Sequence, residues 1–218
     1  MSSSPDKSFW DNKLQGYAKQ DFINMPSIFA KEIEHLIPPK SKILEIGAGL
    51  GQDAIYFTLQ DNLVTATDFS DTAVDYLSKV KAEKNLNQMQ VEQVDCSKKL
   101  PYKDKTFDIV YSHLGLHFFD SVTTSQLFNE VNRILVENGY FIFLANSTDD
   151  PEYNLSKKLE PDLFDLGDGN IKRFFSVNSV QEFIKSLFTV ELLDNHSSSY
   201  KDNKVGVKSL IRFVGRKV

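Results

Sequence analysis

The sequence predicts an α/β fold, a parallel sheet covered by helices on both faces, and three observations carry that prediction. Short apolar runs recur at 42–46, 62–67, 89–94, 107–112 and 140–145, and helix-like segments at 52–59, 71–84 and 122–136 separate most of them. Such alternation implies parallel strands joined by helical crossovers, which should be right-handed. The first apolar run opens directly into glycines on alternate positions, in the stretch KILEIGAGLGQDAIYF. A length of 218 residues suits one domain with a sizeable core.

Each element follows in order. Residues 1–8 are Ser-rich and expected to be mobile. Helical patterns cover 9–19 and 26–37, the second with Ile28, Phe29, Ile33, Leu36 and Ile37 on an apolar face. Pro38 and Pro39 stop it. The strand–helix rhythm then runs through 41–146. Residues 147–175 hold two prolines, two glycines and several acids, and read as an insertion over the carboxyl edge of the sheet. From 176 to 218 the pattern gives a helix at 177–187 and two β-rich runs at 189–193 and 207–215. The intervening DNHSSSYKDNK has no room for a crossover helix, so these last runs should pair antiparallel.

Composition narrows the function. A net charge of -5 gives no electrostatic reason to bind nucleic acid or an anionic membrane. The single cysteine, Cys96, excludes an intrachain disulfide framework and a multi-cysteine zinc site. The opening MSSSPDK lacks the apolar core of a signal peptide, and no apolar run approaches membrane-spanning length, so a cytoplasmic protein is expected. Asp162, Asp165 and Asp168 have neither a companion histidine nor calcium-loop spacing, and no metal is expected.

In an open α/β sheet, ligands bind beyond the carboxyl ends of the strands where the strand order reverses. The loop after the first run is therefore the place to look, and it reads Glu45-Ile46-Gly47-Ala48-Gly49-Leu50-Gly51. A dinucleotide fingerprint would put its third glycine at position 52, where this chain has Gln52. A pyrophosphate wants helix amides and no nearby carboxylate. Glu45 would repel it and favour a ligand carrying an ammonium and a sulfonium. The glycines also suit a plain tight turn. Asp68 ends the second run about 20 residues past the loop, where an acid can accept ribose hydroxyls, although a helix cap is the competing reading. Asp95 ends the third, placed to accept from an adenine amino group or to sit as a solvated loop acid.

The ordered set EIGAGLG, TDFS, VDCS, LPYKDKTFDIVYSHLGLHFF and NEVNRILVENGYFIF resembles the class I S-adenosylmethionine-dependent methyltransferases over essentially the whole chain. The details YSHLGLHFFD, NSTDDPEYN and IKRFFS are similar to the tellurite-resistance-like small-molecule group. The resemblance implies a Rossmann-like seven-stranded, mostly parallel sheet with one antiparallel strand. It implies S-adenosyl-L-methionine held by Glu45, Gly47, Ala48, Gly49 and Gly51 along the methionine and ribose. Asp68 would hold the ribose, Phe69 and Ser70 would lie beside the adenine, and Asp95 and Cys96 would read the adenine edge. Ser112 and His113 would serve the methionine end, and Trp10 and Tyr17 would cap the cofactor. A nucleic-acid amino-methylating enzyme would show a proline-aromatic motif where this chain has YSHLGLHF, and an arsenic methyltransferase would need several thiols.

Displacement at a sulfonium needs alignment and water exclusion more than covalent catalysis. A general base matters only where the acceptor loses a proton. His117 and His113, in the loop after the fourth run, are the candidate bases; each also suits a structural role. His35 and His196 lie elsewhere. Arg173 and Phe174 in IKRFFS are candidates for meeting an anionic acceptor, against a reading in which Ser176 caps a helix and the phenylalanines anchor the core. A small-molecule methyl acceptor is expected. The competing functions are a non-catalytic S-adenosylmethionine-binding sensor or partner subunit and, further off, a nicotinamide-dependent oxidoreductase.

Overall fold

Ile43, Leu44, Glu45 and Ile46 are all buried, so strand β1 (Lys42–Ile46) is covered on both faces, as a central parallel strand must be. The computed structural model describes residues 7–19, 24–167, 170–199 and 208–218. Strand β1 pairs in parallel with β2 (Leu63–Asp68) on one side and β4 (Phe107–His113) on the other. Strand β3 (Met89–Gln93) extends the sheet beyond β2, and β5 (Leu135–Asn146) extends it beyond β4. Strand β10 (Lys208–Lys217) runs antiparallel to both β5 and β9 (Phe188–Ser199), which closes a seven-stranded sheet in the order β3-β2-β1-β4-β5-β10-β9. One strand is thus reversed against six.

Helices α3 (Gln52–Leu59), α4 (Asp71–Glu83) and α5 (Ser121–Ile134) lie between the parallel strands, and α6 (Val177–Ile184) leads into β9. Helices α1 (Lys7–Tyr17) and α2 (Ile28–Ile33) precede the sheet. Alternation along each strand sends neighbouring side chains to opposite faces. Ile43, Ile109 and Ile142 join Phe57, Leu77 and Tyr111 on one face. Leu44, Val110, Phe141 and Phe143 join Phe128, Phe175 and Phe213 on the other.

The sequence reading and the structure differ at several places. The second helix ends at Ile33 and tightens into a 3₁₀ turn over Glu34–Leu36, so it closes before the two prolines. Helix α5 ends at Ile134 because Leu135 already pairs with Phe107, and β5 begins five residues earlier than expected, with an irregularity before Tyr140. The run expected at 189–193 continues to Ser199, which puts His196 in β9 and not in a loop. Residues 147–175 contain a three-stranded antiparallel sheet of β6 (Lys157–Glu160), β7 (Leu163–Asp165) and β8 (Ile171–Arg173). Of the start expected to be mobile, Lys7 and Ser8 are helical and residues 1–6 lie outside the described residues. Among the described residues no helix is long and apolar enough to cross a membrane.

The aromatic layer under α5 and α6 is dense. Phe143 meets Phe141 and Phe213 at ring-centroid distances of 5.1 and 5.0 Å, and Phe128 and Phe175 at 5.6 and 6.1 Å. Truncation there would leave a cavity ringed by rigid side chains. Phe143→Ala is expected to lower unfolding stability by about 3–5 kcal/mol, read from the urea midpoint.

Candidate active site

The strand order reverses between β1 and β4, so the loops leaving their carboxyl ends face one another across the crevice that such sheets use for ligands. They touch through main chain. A Cβ on Gly47 would lie 3.0 Å from Cα of Gly115, and one on Gly115 would lie 2.7 Å from the Ile46 carbonyl oxygen and 2.8 Å from Ser112 Oγ. Gly51 opens α3 in the left-handed region, at φ 77°, with its Cα hydrogen turned against Leu77.

Three acids gather behind this loop. Asp68, at the end of β2, accepts from Gly49 N at 2.8 Å and from Ser70 N at 2.9 Å. Burial raises its pKa, and those two amides with that of Phe69 work against the rise. Asp53, in the first turn of α3, accepts from Ser27 N (2.7 Å), Ser27 Oγ (2.8 Å) and the Tyr111 hydroxyl (2.7 Å), which ties the cap of α2 to the sheet. Glu45 is 2% exposed and its Oε2 has no hydrogen-bond partner. Its pKa stands well above the usual carboxylate range, because burial first, then the charges of Asp53 and Asp68, disfavour ionisation.

The remaining predicted residues fall around that centre. Ser70 is fully buried, and its hydroxyl caps α4 by accepting from Ala73 N while donating to Asp11 of α1. Asp11 also accepts from Thr72 N at 3.2 Å, so α1 lies against the end of β2. Trp10 stands edge-on to Phe118 at 4.7 Å, while Leu14 packs with Leu50 and Ala73, and Tyr17 joins that cluster. Lys7 Nζ lies 5.8 Å from the Phe69 ring. Asp95 accepts from Ser97 N and bridges to Lys98; despite its partial burial these donors lower its pKa. Burial first, then the charges of Asp95 and Asp68, push the half-buried Cys96 thiol up to about 12. Ala48 donates through its main chain to Thr67 O, and Ser112 Oγ donates to Ile46 O. His113 ends β4, and His117, 3% exposed, leans on Phe118 at 4.2 Å.

Arg173 and Phe174 are placed differently from the expectation of an open acceptor wall. The Arg173 guanidinium is buried and engages Glu160, Phe119 O and Pro161 O. Burial brings its pKa down to about 10. Phe174 is fully buried between Tyr153 and Phe164, and Ser176 caps α6 with a reciprocal bond to Ser179. Asp162 accepts from Tyr153, Asp165 from Gly167 N, and Asp168 lies outside the described residues. Sequence reasoning missed Asp53 and Tyr111. A carboxylate in the first helical turn resembles any dipole-stabilising acid, and nothing local marks its three partners.

A family model described as a methyltransferase domain matches residues 44–143, which span the glycine loop, all three acidic strand ends and the β4 loop. Over that stretch the chain is similar to methyltransferase domains. That likeness favours methyl transfer over the nicotinamide reading. An uncharacterized methyltransferase of Bacillus subtilis, YcgJ, is 28% identical over 111 residues, 50% of this chain and 43% of its own length. The chain thus aligns with less than half of that relative. A 1,6-didemethyltoxoflavin-N1-methyltransferase of Burkholderia thailandensis, solved with its substrate and S-adenosylhomocysteine, superposes with a TM-score of 0.73 at 17% identity, over 97% of this chain and 84% of that one. TehB of Haemophilus influenzae superposes at 0.68 and 18% identity, over 87% and 61%. At such identities the likeness is one of fold.

The residues present fit S-adenosylmethionine. An orphaned carboxylate oxygen on Glu45 calls for positive charge or a donor that the described chain does not supply. Glycine main chain lets a ligand approach closely, and Asp68 keeps acceptor capacity beyond its two amides.

The raised Glu45 carboxyl holds its proton in the fold at pH values where the unfolded chain has lost it. Its contribution to stability is full below the ordinary glutamate value of about 4.3 and is lost as pH rises through the folded value. Glu45→Gln is therefore expected to resist urea better than the parent at about pH 7, with the advantage gone below about pH 4, read as midpoint against pH.

Proposed function

We propose that the chain transfers the methyl group of S-adenosylmethionine to a small-molecule acceptor by in-line displacement. The observation that carries this reading is Asp68, gripped by Gly49 N and Ser70 N at the strand-order reversal, with the orphaned Glu45 carboxylate behind it. When bound, the donor supplies a methyl on a sulfonium, whose transfer needs alignment and exclusion of water.

The chain's own residues supply those two things. Gly47, Gly49 and Gly51 give the donor a close main-chain wall, Glu45 favours its positive charge, and Asp68 takes the sugar hydroxyls. Asp95, with the main chain at Cys96, takes the base. Helix α1 covers one side through Trp10, and the loop after β4 closes the other. Should the acceptor have a proton to lose, His117 on that loop and His113 at the end of β4 are the candidate imidazoles. Two features support a small acceptor. The crevice is bordered by α1, the β4 loop and the insertion that Arg173 binds to it. The net charge of -5 disfavours a polyanion.

Calorimetry with S-adenosylmethionine, followed by labelled-methyl transfer to chemically diverse small acceptors, tests this. Label recovered in protein or nucleic acid and in none of the small acceptors would overturn it, and donor binding without transfer to any acceptor would favour a non-catalytic binder. Asp68→Ala is expected to weaken S-adenosylhomocysteine binding by roughly 1–3 kcal/mol, the cost of leaving its partners unpaired. Unchanged affinity in the folded variant would move the sugar elsewhere.

A further inference from the structure

Resting on the methyl-transfer reading, we propose that Arg173 is a positioning residue: it fixes the loop at 114–119 and, through that loop, the seat of α1 over the donor site. Four bonds converge on it. The main-chain N of Arg173 donates to His117 O at 2.8 Å, and its Nε donates to Phe119 O at 3.0 Å. Its Nη1 donates to Pro161 O at 3.3 Å, and its Nη2 binds Glu160. Glu160 in turn accepts from Ser121 N at 2.7 Å and Ser121 Oγ at 3.1 Å, so the same pair holds the first turn of α5. Both residues flanking Phe118 are therefore anchored by one side chain and its own backbone.

Phe118 is the residue that Trp10 meets. Beside Trp10, Asp11 binds Ser70 and Thr72, and the Ser70 amide holds Asp68. Four steps therefore connect the insertion to the proposed sugar acid: Arg173 to the loop carbonyls, Phe118 to Trp10, Asp11 to Ser70, and Ser70 to Asp68. The choice of arginine is physical. Its planar fork reaches two carbonyls and a carboxylate at once, which a lysine ammonium on a flexible stem cannot reproduce. A buried ion pair is a poor source of stability against apolar packing, so its contribution here is geometry.

Trp10 is the chain's only tryptophan, so selectively excited tryptophan fluorescence reports on its setting, which Phe118 shares with Phe9 and Lys13. The test compares Arg173→Lys and Glu160→Gln with Val131→Ala, a buried change in α5 that destabilises the core at an apolar side chain unable to bond to Arg173 or Glu160. Acrylamide quenching of Trp10 should rise in the first two variants and not in V131A. Affinity for S-adenosylhomocysteine should fall roughly 2- to 30-fold in the same two, the range of coupling through intermediate residues. Parent-like quenching and affinity in R173K and E160Q, with only a lower melting temperature, would overturn the proposal, as would an equal rise in V131A. If R173K fails to fold, E160Q decides. If the parent itself does not bind S-adenosylhomocysteine, the donor reading fails, and the quenching comparison still decides the role of Arg173.

Discussion

A β-carbon at position 115 would collide with the Ile46 carbonyl, and one at position 47 would press on the Gly115 backbone. The loops leaving β1 and β4 are therefore in contact as bare main chain, and the width of the crevice is set there. Ser112 reinforces the contact from below by donating to the same Ile46 oxygen. Side chains on either loop would separate β1 from β4 at their carboxyl ends. The acids at the tips of β1 and β2 would then lose their common focus.

Around that contact the covering elements are attached by few but specific bonds. Helix α2 is tied to the sheet through Asp53, which accepts from Ser27 and Tyr111. Helix α1 rests on a small apolar cluster of Leu14, Leu50 and Ala73, and on Asp11 at the start of α4. The insertion hangs on the core by the bond from Phe175 N to Asn146 O and by the buried Arg173. The sheet supplies rigidity, and the attached pieces supply enclosure. Such a division suits a site that must admit a ligand and then exclude water.

Much of this was legible in the sequence because its signals are local. The apolar run 42–46 and the helix 52–59 have the bounds the chain adopts, since a glycine turn separates them without ambiguity. The reversed strand was also readable, because eleven polar residues cannot return a chain to parallel. The three-stranded sheet of the insertion was not. Its strands are three or four residues long and sit beside Pro161 and Gly167, so no period can establish itself. At the site, Glu45 and Asp68 announced themselves by position at strand ends. Asp53 did not, because its partners Ser27 and Tyr111 lie 26 and 58 residues away in sequence. Arg173 misled for the same reason: an exposed cation and a buried clamp look alike until Glu160 and the Phe119 carbonyl are found beside it.

The electrostatics of the crevice follow from unequal treatment of three acids. Asp53 receives three donors, Asp68 receives main-chain amides, and one oxygen of Glu45 receives none. A chain selected for stability alone would have an apolar residue at position 45, since a buried unpaired acceptor costs about 1–3 kcal/mol. Retaining an acid there leaves a buried, poorly solvated carboxyl behind a wall of glycine main chain. Such a carboxyl gives a phosphate nothing to bind, since the amides of Ala48, Gly49 and Gly51 already donate within the chain, and it gains by ionising beside a cation. Two positions therefore separate this loop from a dinucleotide site: Gln52, where the fingerprint has its third glycine, and the buried acid Glu45 at the end of the strand before it.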